Sequence, residues 1–355
     1  MSTNDAGTQL ASDLSSLQTE ANSLESKARF AGARSALESF ENEVGGLPQR
    51  VALARSHGYV FEKGLEQQAG DFVGRWGPLR ATVEQHIDQE TAALQPDLRA
   101  LELQMSQLNG WSSDVSVVQS MLGQAKNSAS GLDARISAVE STLAGMYESF
   151  KGEVLKLTDQ LGRVEWMQTQ LAEASFQLMP SEGALMAVPA VWCRQGKQAK
   201  DDPEGVLLLT DQRLLFEQKQ EVVTKKVLFI ATEKQKVQKL LVDAPVGKSD
   251  SVKGTKQGLM GHEDHIDVTF VSGTPLRAAH FHLKGQDCDL WQGLIGRAKA
   301  GDFDRDRTVL PDALRAERVK TAPTKCPNCG GAITETVLRG MDSITCGFCG
   351  TVIRL

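Results

Sequence analysis

The chain has 355 residues and carries 39 Lys and Arg against 45 Asp and Glu, a formal charge of −6, which is the length of two or three domains. That balance argues against a protein that coats itself in nucleic acid. No stretch approaches 18 uninterrupted apolar residues and the N-terminus lacks a basic n-region and an apolar h-region, so neither a helical membrane span nor a secretory signal is expected, and the expected location is cytoplasmic.

Charge and proline divide the chain. Residues 1–180 carry 14 basic against 23 acidic side chains, 181–300 carry 17 against 15, and 301–355 carry 8 against 7. Only the first part is clearly acidic. It holds Pro48, Pro78 and Pro96 until Pro180, Pro189 and Pro203 arrive together, so helix is expected to dominate up to Pro180 and stop there. Ile136, Leu143, Phe150, Leu157, Val164, Leu171 and Leu178 recur every seven residues, with Leu132, Val139, Met146, Met167 and Ala174 between them. This is a coiled-coil seam. Glu153 and Gln160 interrupt it while Val154 and Leu161 follow one residue later, so the seam should drift there.

Shorter stripes (Leu10, Leu14, Leu17, Ala21, Leu24; Phe61, Leu65, Phe72, Trp76, Leu79; Leu94, Leu98, Leu101, Met105, Leu108) predict four or five helices. Turn residues place breaks at Gly45–Pro48, Gly77-Pro78, Asn109-Gly110 and Asn127–Gly131. Folded back, the helices make a bundle; left straight, they pair with a second chain. Glycines 58, 64, 70, 74 and 77 near Tyr59, Phe61, Phe72 and Trp76 read as close helix packing rather than a membrane-dipping face, because Glu62, Lys63, Glu66 and Asp71 supply an ordinary solvated side.

After Pro180 the apolar runs shorten. Ala184–Trp192, Gly205–Thr210, Arg213–Glu217, Lys226–Ala231, Val237–Val242, His265–Val271 and Leu276–Leu283 read as seven strands of a mostly antiparallel sheet. Thr210–Arg213 is short enough for a hairpin and Ser272–Pro275 carries turn chemistry. Asp287–Ala300 closes as a helix with Leu290, Trp291, Leu294 and Ile295 on one face. The sum is a small barrel with one end plugged.

The stretch EGVLLLTDQRLLFEQ, Glu204 to Gln218, resembles the opening hairpin of GRAM and bacterial pleckstrin-homology-like domains, and the strand count and Trp291 in the last helix are similar to that superfamily. The resemblance covers about residues 181–300 and implies recognition of a lipid or a protein rather than catalysis. Candidate anion contacts are Lys225, Lys226, Lys248, Lys253 and Lys256, which could hold a headgroup at a peripheral anionic membrane. Interleaved Glu221, Glu233, Asp243 and Asp250 read the same segment as a solvated rim, and the first hairpin offers only Arg213 and Lys219.

Two motifs are set aside. Gly247-Lys248-Ser249 lacks the earlier glycine of a P-loop, which is Val242 here. His262 with His265, and His280 with His282, lack zincin spacing and read as surface or core histidines, while Cys193 and Cys288 are expected only to pack.

The last segment carries the sharp signal. Cys326-x-x-Cys329 and Cys346-x-x-Cys349 stand sixteen residues apart, the spacing of a four-cysteine zinc site. Gly330 and Gly350, each directly after a pair, suit the positive φ of such a knuckle. The segment resembles a zinc ribbon. Four thiolates fill a tetrahedral ion, so one structural Zn2+ is expected and no metal catalysis. Lys325, Arg339 and Arg354 are too few for strong phosphate binding, whereas Phe348, Val352, Ile353 and Leu355 offer an apolar docking surface.

The reading is therefore multidomain α + β: an N-terminal helical bundle or coiled coil (1–180), a seven-stranded antiparallel pleckstrin-homology-like barrel with a C-terminal helix (181–300), a linker with a short helix near Asp312–Val319 (301–324) and a zinc ribbon (325–355). With no nucleophile elbow, P-loop or Rossmann fingerprint, a non-enzymatic adaptor is expected. Its partners would be proteins, including a second copy through the helices. A nucleic-acid-associated regulator that uses the ribbon is the alternative.

Overall fold

The structure, a computed structural model, describes residues 3–110, 115–179, 181–227, 230–274, 276–308, 323–334 and 343–354. Two compact units divide the chain: Met1–Gln49 with Gln67–Thr158, and Arg50–Glu66 with Asp159–Leu355.

Four helices cover the N-terminal half: α1 (Thr3–Lys27), α2 (Ala31–Ser56), α3 (Leu65–Gly110) and α4 (Val115–Ala172). Within the first unit they make three rods, because α1 and α2 follow one another along α4 in the same direction. Asp13 and Lys27 of α1 pair with Lys126 and Asp133 of α4, and Phe40 of α2 meets Tyr147 and Phe150 further along. The junction at Ala28–Phe30 bends the rod without reversing it, with Phe30 buried at a φ of 51°. The third rod, α3, runs antiparallel to both, fixed by Arg34–Asp88 and Arg80–Glu41 toward α2 and by Arg75–Glu153 and Arg135–Asp97 toward α4. The apolar stripes thus meet one another inside one chain. At their centre Trp76 stacks on Phe150, ring centroids 5.9 Å apart, and its indole N–H donates to Glu41.

Three of the expected breaks are absent. The helices run through Gly45–Pro48, Gly77-Pro78 and Asn127–Gly131, with Pro48 inside α2 and Pro78 and Pro96 inside α3. An interior proline costs about 3 kcal/mol, but the stripes on either side, Val44, Leu47 and Val51 or Trp76, Val83 and Ile87, stay buried only if the helix continues. Burying each such side chain contributes about 1.5–3 kcal/mol, so the continuous helix wins. Nor do the glycines mark close approach: a Cβ at Gly64, Gly70, Gly74 or Gly77 would meet nothing within 4 Å. Only the aromatics beside them pack, and the glycine that matters is Gly58, at a φ of 89° in the turn after α2.

The seven-residue seam is buried at Ile136, Leu143, Phe150, Leu157 and Val164, and at the offset positions Val154 and Leu161. It stops early, since α4 ends at Ala172 and leaves Ala174 and Leu178 outside the helix; Pro180 lies outside the described residues. Carboxylates capture the backbone there: the Ser175 amide donates to Glu217 and the Met179 amide to Glu182.

In the second unit β1 (Ala184–Trp192), β2 (Glu204–Thr210), β3 (Arg213–Val227), β4 (Ile230–Pro245), β5 (Ser249–Gln257), β6 (Glu263–Phe270) and β7 (Ala278–Leu283) form one antiparallel sheet in the order β4-β3-β2-β1-β7-β6-β5. Two meanders meet where β1 pairs with β7. The helix α5 (Cys288–Ala300) lies on β5 and β6, capped by the Asp287 carboxylate and ended by Gly301 at a φ of 77°. Phe216, Phe281, Ile266 and Trp291 are fully buried.

Seven strands were expected and seven are present, but they are not the same seven. The expected strand Lys226–Ala231 is divided between two strands, Lys226 and Val227 ending β3 and Ile230 and Ala231 opening β4, and the segment with Lys248, Lys253 and Lys256, outside the expected strands, is one 3-10 turn followed by β5. The polar sequence SDSVKGTKQ hid β5: its strand character comes from eight ladder partners on β6, from Phe270 to Glu263, not from its own side chains.

Close approach in the β2–β3 hairpin makes a test. A Cβ at Gly205 would fall 1.9 Å from the Glu217 carbonyl oxygen, so Gly205→Ala must push two paired backbones apart. The expected loss is about 1–3 kcal/mol, read as a lower thermal midpoint; an unchanged midpoint would show that the strands yield freely.

The described part of the expected linker is packed. Residues Asp302–Asp306 form a 3-10 turn, Phe303 is buried against Phe61, and the Arg307 guanidinium donates to buried Asp211 at 2.7 Å and to the Ser181 carbonyl at 2.8 Å. The charged run GDFDRDR looks solvated in sequence, yet Arg307 has a buried carboxylate to reach. The helix expected near Asp312–Val319 lies outside the described residues.

Candidate metal centre and recognition surfaces

The two Cys-x-x-Cys pairs fold as matching knuckles. In each, the amide of the following glycine donates back to the first cysteine, Gly330 to the Cys326 carbonyl at 2.8 Å and Gly350 to the Cys346 carbonyl at 2.9 Å. Gly330 and Gly350 take φ of 72° and 71°, the left-handed values expected from their places in the sequence. Two short strands, β8 (Ser343–Thr345) and β9 (Val352–Arg354), pair antiparallel, and Lys325 bridges Ala332.

These knuckles bring all four sulfurs within 4.8 Å of one another. Cys326 to Cys349 and Cys329 to Cys346 are each 3.6 Å. Ligands of a tetrahedral ion with Zn–S bonds of about 2.3 Å stand about 3.8 Å apart, so the donor set fits zinc in number, chemistry and spacing.

Electrostatics favour the same occupant. Amides of Cys349 and Phe348 hold the Cys346 thiol below its usual range, and the Thr351 hydroxyl and amide bring Cys349 down to about 6. At Cys329 the Gly331 amide favours the thiolate, but the neighbouring sulfurs of Cys349, Cys346 and Cys326 outweigh it and push the thiol up to about 12. Like charges this close ionise together only around a cation. The four side chains would hold the metal, and it would supply cross-linking rather than an open coordination position.

Around the sulfurs the core is small: Ile344 and Ile353 with partly buried Ile333. Phe348 is 75% exposed and Val352 63%. The Phe348 ring lies over Gly331, where a Cβ would come within 2.7 Å of it.

The lysines expected to meet an anion are spread along the sheet. Lys248 ends the 3-10 turn before β5 and Lys256 is near the far end of that strand, roughly 25 Å away at the usual rise per residue. Exposed Lys253 sits opposite Asp267, and Lys256 is held by Asp264 at 3.1 Å and Asp287 at 2.8 Å. Both contacts raise its pKa, Asp287 the more. Lys225 and Lys226 lie near the end of β3, where they pair with Glu233 and Ala231; their side chains lie outside the described residues. The structure does not gather these five positions into one site.

The remaining polar residues singled out in the sequence have varied surroundings. Arg213, one of two isolated basic residues of the first hairpin, is a buried structural cation paired with Glu182. Cys193 and Cys288 are buried, as are His265 and His280, and Cys193 stands with those two histidines in one cluster. Sequence spacing hides that cluster because its members come from β6, β7 and the residue just after β1. Among the described residues no helix is long and apolar enough to cross a membrane.

No protein-family model and no curated protein matches the sequence. Solved structures similar to it include the Vps36 N-terminal PH domain, 14% identical over 36% of this chain and 85% of that one, TM-score 0.23. A DUF1696 family protein with a pleckstrin-homology domain from Shewanella loihica PV-4 is 14% identical over 39% and 92%, TM-score 0.24. The DH/PH domains of PDZ-RhoGEF, in complex with GTP-gamma-S-activated RhoA, are 12% identical over 78% and 94%, TM-score 0.27. Likenesses at this level of identity and TM-score assign no function.

Proposed function

We propose that the chain is a non-enzymatic adaptor in which a four-cysteine ribbon, held by one structural zinc, docks onto a protein partner, and the seven-stranded domain serves as a second, protein-directed recognition module. The observation that carries this reading is exposed Phe348, on a knuckle closed by the Gly350 amide on the Cys346 carbonyl, with exposed Val352 at the start of the adjoining strand β9. An apolar side chain held rigidly in water is a ready anchor for a partner, because little entropy remains to be lost on binding. Lipid recognition is less favoured, since the lysines along β5 are dispersed and Lys256 is already neutralised by two carboxylates.

The test has two arms on the full chain. A photo-crosslinking residue in place of Phe348 should trap a discrete protein partner, and Phe348→Ser should lower recovery of that partner at least about tenfold, as loss of a hot-spot aromatic does. Co-sedimentation with phosphatidylserine-containing vesicles should leave the protein in the supernatant, as with phosphatidylcholine alone. Pelleting that depends on anionic lipid and is lost in Lys253→Glu would replace the protein reading with a membrane one. An unchanged yield in Phe348→Ser would remove the ribbon as the docking element.

A further inference from the structure

The outer face of β6 and β7 is polar and yet buried. Pairing sets His265 opposite His282 and Asp267 opposite His280, with Val191 of β1 opposite His282 and the Cys193 amide on the His280 carbonyl. Strand alternation therefore raises Cys193, Glu263, His265, Asp267, His280 and His282 on one face, while Ile266, Val268 and Phe281 turn to the core. An outer sheet face normally leaves such groups in water, but Cys193 is 1% exposed, His265 3% and His280 8%. The β1–β2 connection reaches this cluster through Gln198, whose amide oxygen is 2.8 Å from His282 Nδ1, and the His282 ring stacks on His265 at 4.6 Å.

The hydrogen bonds set a proton count. His280 Nδ1 meets Asp267 at 2.5 Å and His265 Nε2 meets Glu263 at 3.4 Å. An ionised carboxylate only accepts, so His280 Nδ1 carries a proton, and in the neutral ring its Nε2 is a lone pair. That lone pair faces His265 Nδ1 at 2.9 Å, and Cys193 lies with the two histidines in one cluster whose ligand atoms are within 4.8 Å of one another. A contact this short needs either a proton on one of the two nitrogens or a metal between them.

We propose that Cys193, His265 and His280 form a second divalent-metal site of zinc-like preference, ligated through Sγ, Nδ1 and Nε2, with Asp267 and Glu263 orienting the two rings. Carboxylates on the non-ligating ring nitrogens are the usual support of metal-bound histidines. One soft and two borderline donors select zinc or a neighbouring transition ion over magnesium or calcium. Tetrahedral ligand atoms stand about 3.3–3.8 Å apart; the two ring nitrogens, at 2.9 Å, would separate slightly on binding, in a cluster whose ligand atoms all lie within 4.8 Å of one another. Burial favours neutral His265, the form that ligates, and pushes the Cys193 thiol up to about 11, so the thiol is no free nucleophile. On binding, the metal forms the M–S bond and the thiol proton is released to solvent. Three protein ligands leave a fourth position, and the ion would tie the end of β1 to β6 and β7. None of this depends on the ribbon.

Metal counting on the full chain tests it. Metal-depleted protein titrated with Zn2+ and freed of excess should hold two equivalents, and the Cys346→Ser/Cys349→Ser variant one. Adding Cys193→Ala to that variant should abolish the remaining equivalent, and Asp267→Asn should weaken it about 10–100-fold. With Co2+, the ribbon variant should show a thiolate charge-transfer band that Cys193→Ala removes. Should Cys193→Ala fail to fold, His265→Gln supplies the same comparison. A ribbon variant that binds no metal at saturating Zn2+ overturns the proposal and leaves a shared proton between the histidines. Metal retained in both Cys193→Ala and His265→Gln overturns the ligand assignment.

Discussion

Cys346→Ser is expected to unfold the four-cysteine segment. The hydroxyl does not ionise at neutral pH and cannot replace a thiolate, so three ligands remain, and bound zinc should fall by one equivalent. The expected loss is structural, because the segment's described core is three isoleucines and the buried sulfurs of Cys326 and Cys346, too little to order so short a stretch. Apparent binding energies of about 10–16 kcal/mol for structural zinc are folding energy in domains of this size. Amide protection at Ser343–Thr345 and Val352–Arg354 should therefore vanish in Cys346→Ser and in chelator-treated protein, while protection in the first unit and in β1–β7 persists. Protected β8 and β9 amides in metal-free protein would show that the hydrocarbon core suffices and that the sulfurs are not a structural metal centre.

Arg213→Ala should be the most damaging change in the sheet. The guanidinium grips Glu182 with two donors, at 3.0 Å to Oε1 and 2.7 Å to Oε2, and reaches Asp243 at 2.7 Å and the Gln177 carbonyl at 3.2 Å. Burial opposes the charge of Arg213, but Glu182 and Asp243 outweigh it and raise its pKa. The Glu182 side chain is wholly buried and accepts further bonds from the Thr210 hydroxyl and the Met179 amide. Removing the cation leaves a buried carboxylate without its counter-charge, at about 3–5 kcal/mol, a fall in the midpoint of roughly 10 °C for a domain of this size. Charge, not lost volume, would be the cause. Arg213→Met with Glu182→Met should then recover most of the loss, because the pair is replaced by hydrocarbon that owes no desolvation. A double variant as unstable as the sum of the singles would assign the effect to packing.

Arg213 also shows where sequence reading stops. As one basic residue in a first hairpin it stands out only by lacking neighbours, and Glu182, its partner, belongs to no motif. Asp211 and Arg307 are alike, 96 positions apart. A buried ion pair is a tertiary object, and nothing local to either residue announces it. His265 and His280 carry the same lesson: they are fifteen positions apart, and Cys193 directly follows β1, so the cluster exists only after β1, β6 and β7 have paired.

Where the determining physics is local, the chain could be read directly. Two Cys-x-x-Cys pairs, each followed by a glycine, specify the knuckles because ligand spacing and positive φ are set within five residues. The β2–β3 turn at Asp211-Gln212 and the seven-residue seam with its drift to Val154 and Leu161 are equally short-range, resting on turn geometry and helical period. Tertiary structure decided the rest. Pro48 and Pro78 stay helical because the stripes around them gain more by burial than a break would save; beyond the end of α4 at Ala172 the chain is held by Glu217 and Glu182, which accept from the Ser175 and Met179 amides; β5 is a strand because β6 offers it a ladder. In each case the local preference is worth about 1–3 kcal/mol, and burial or pairing summed over several residues exceeds it.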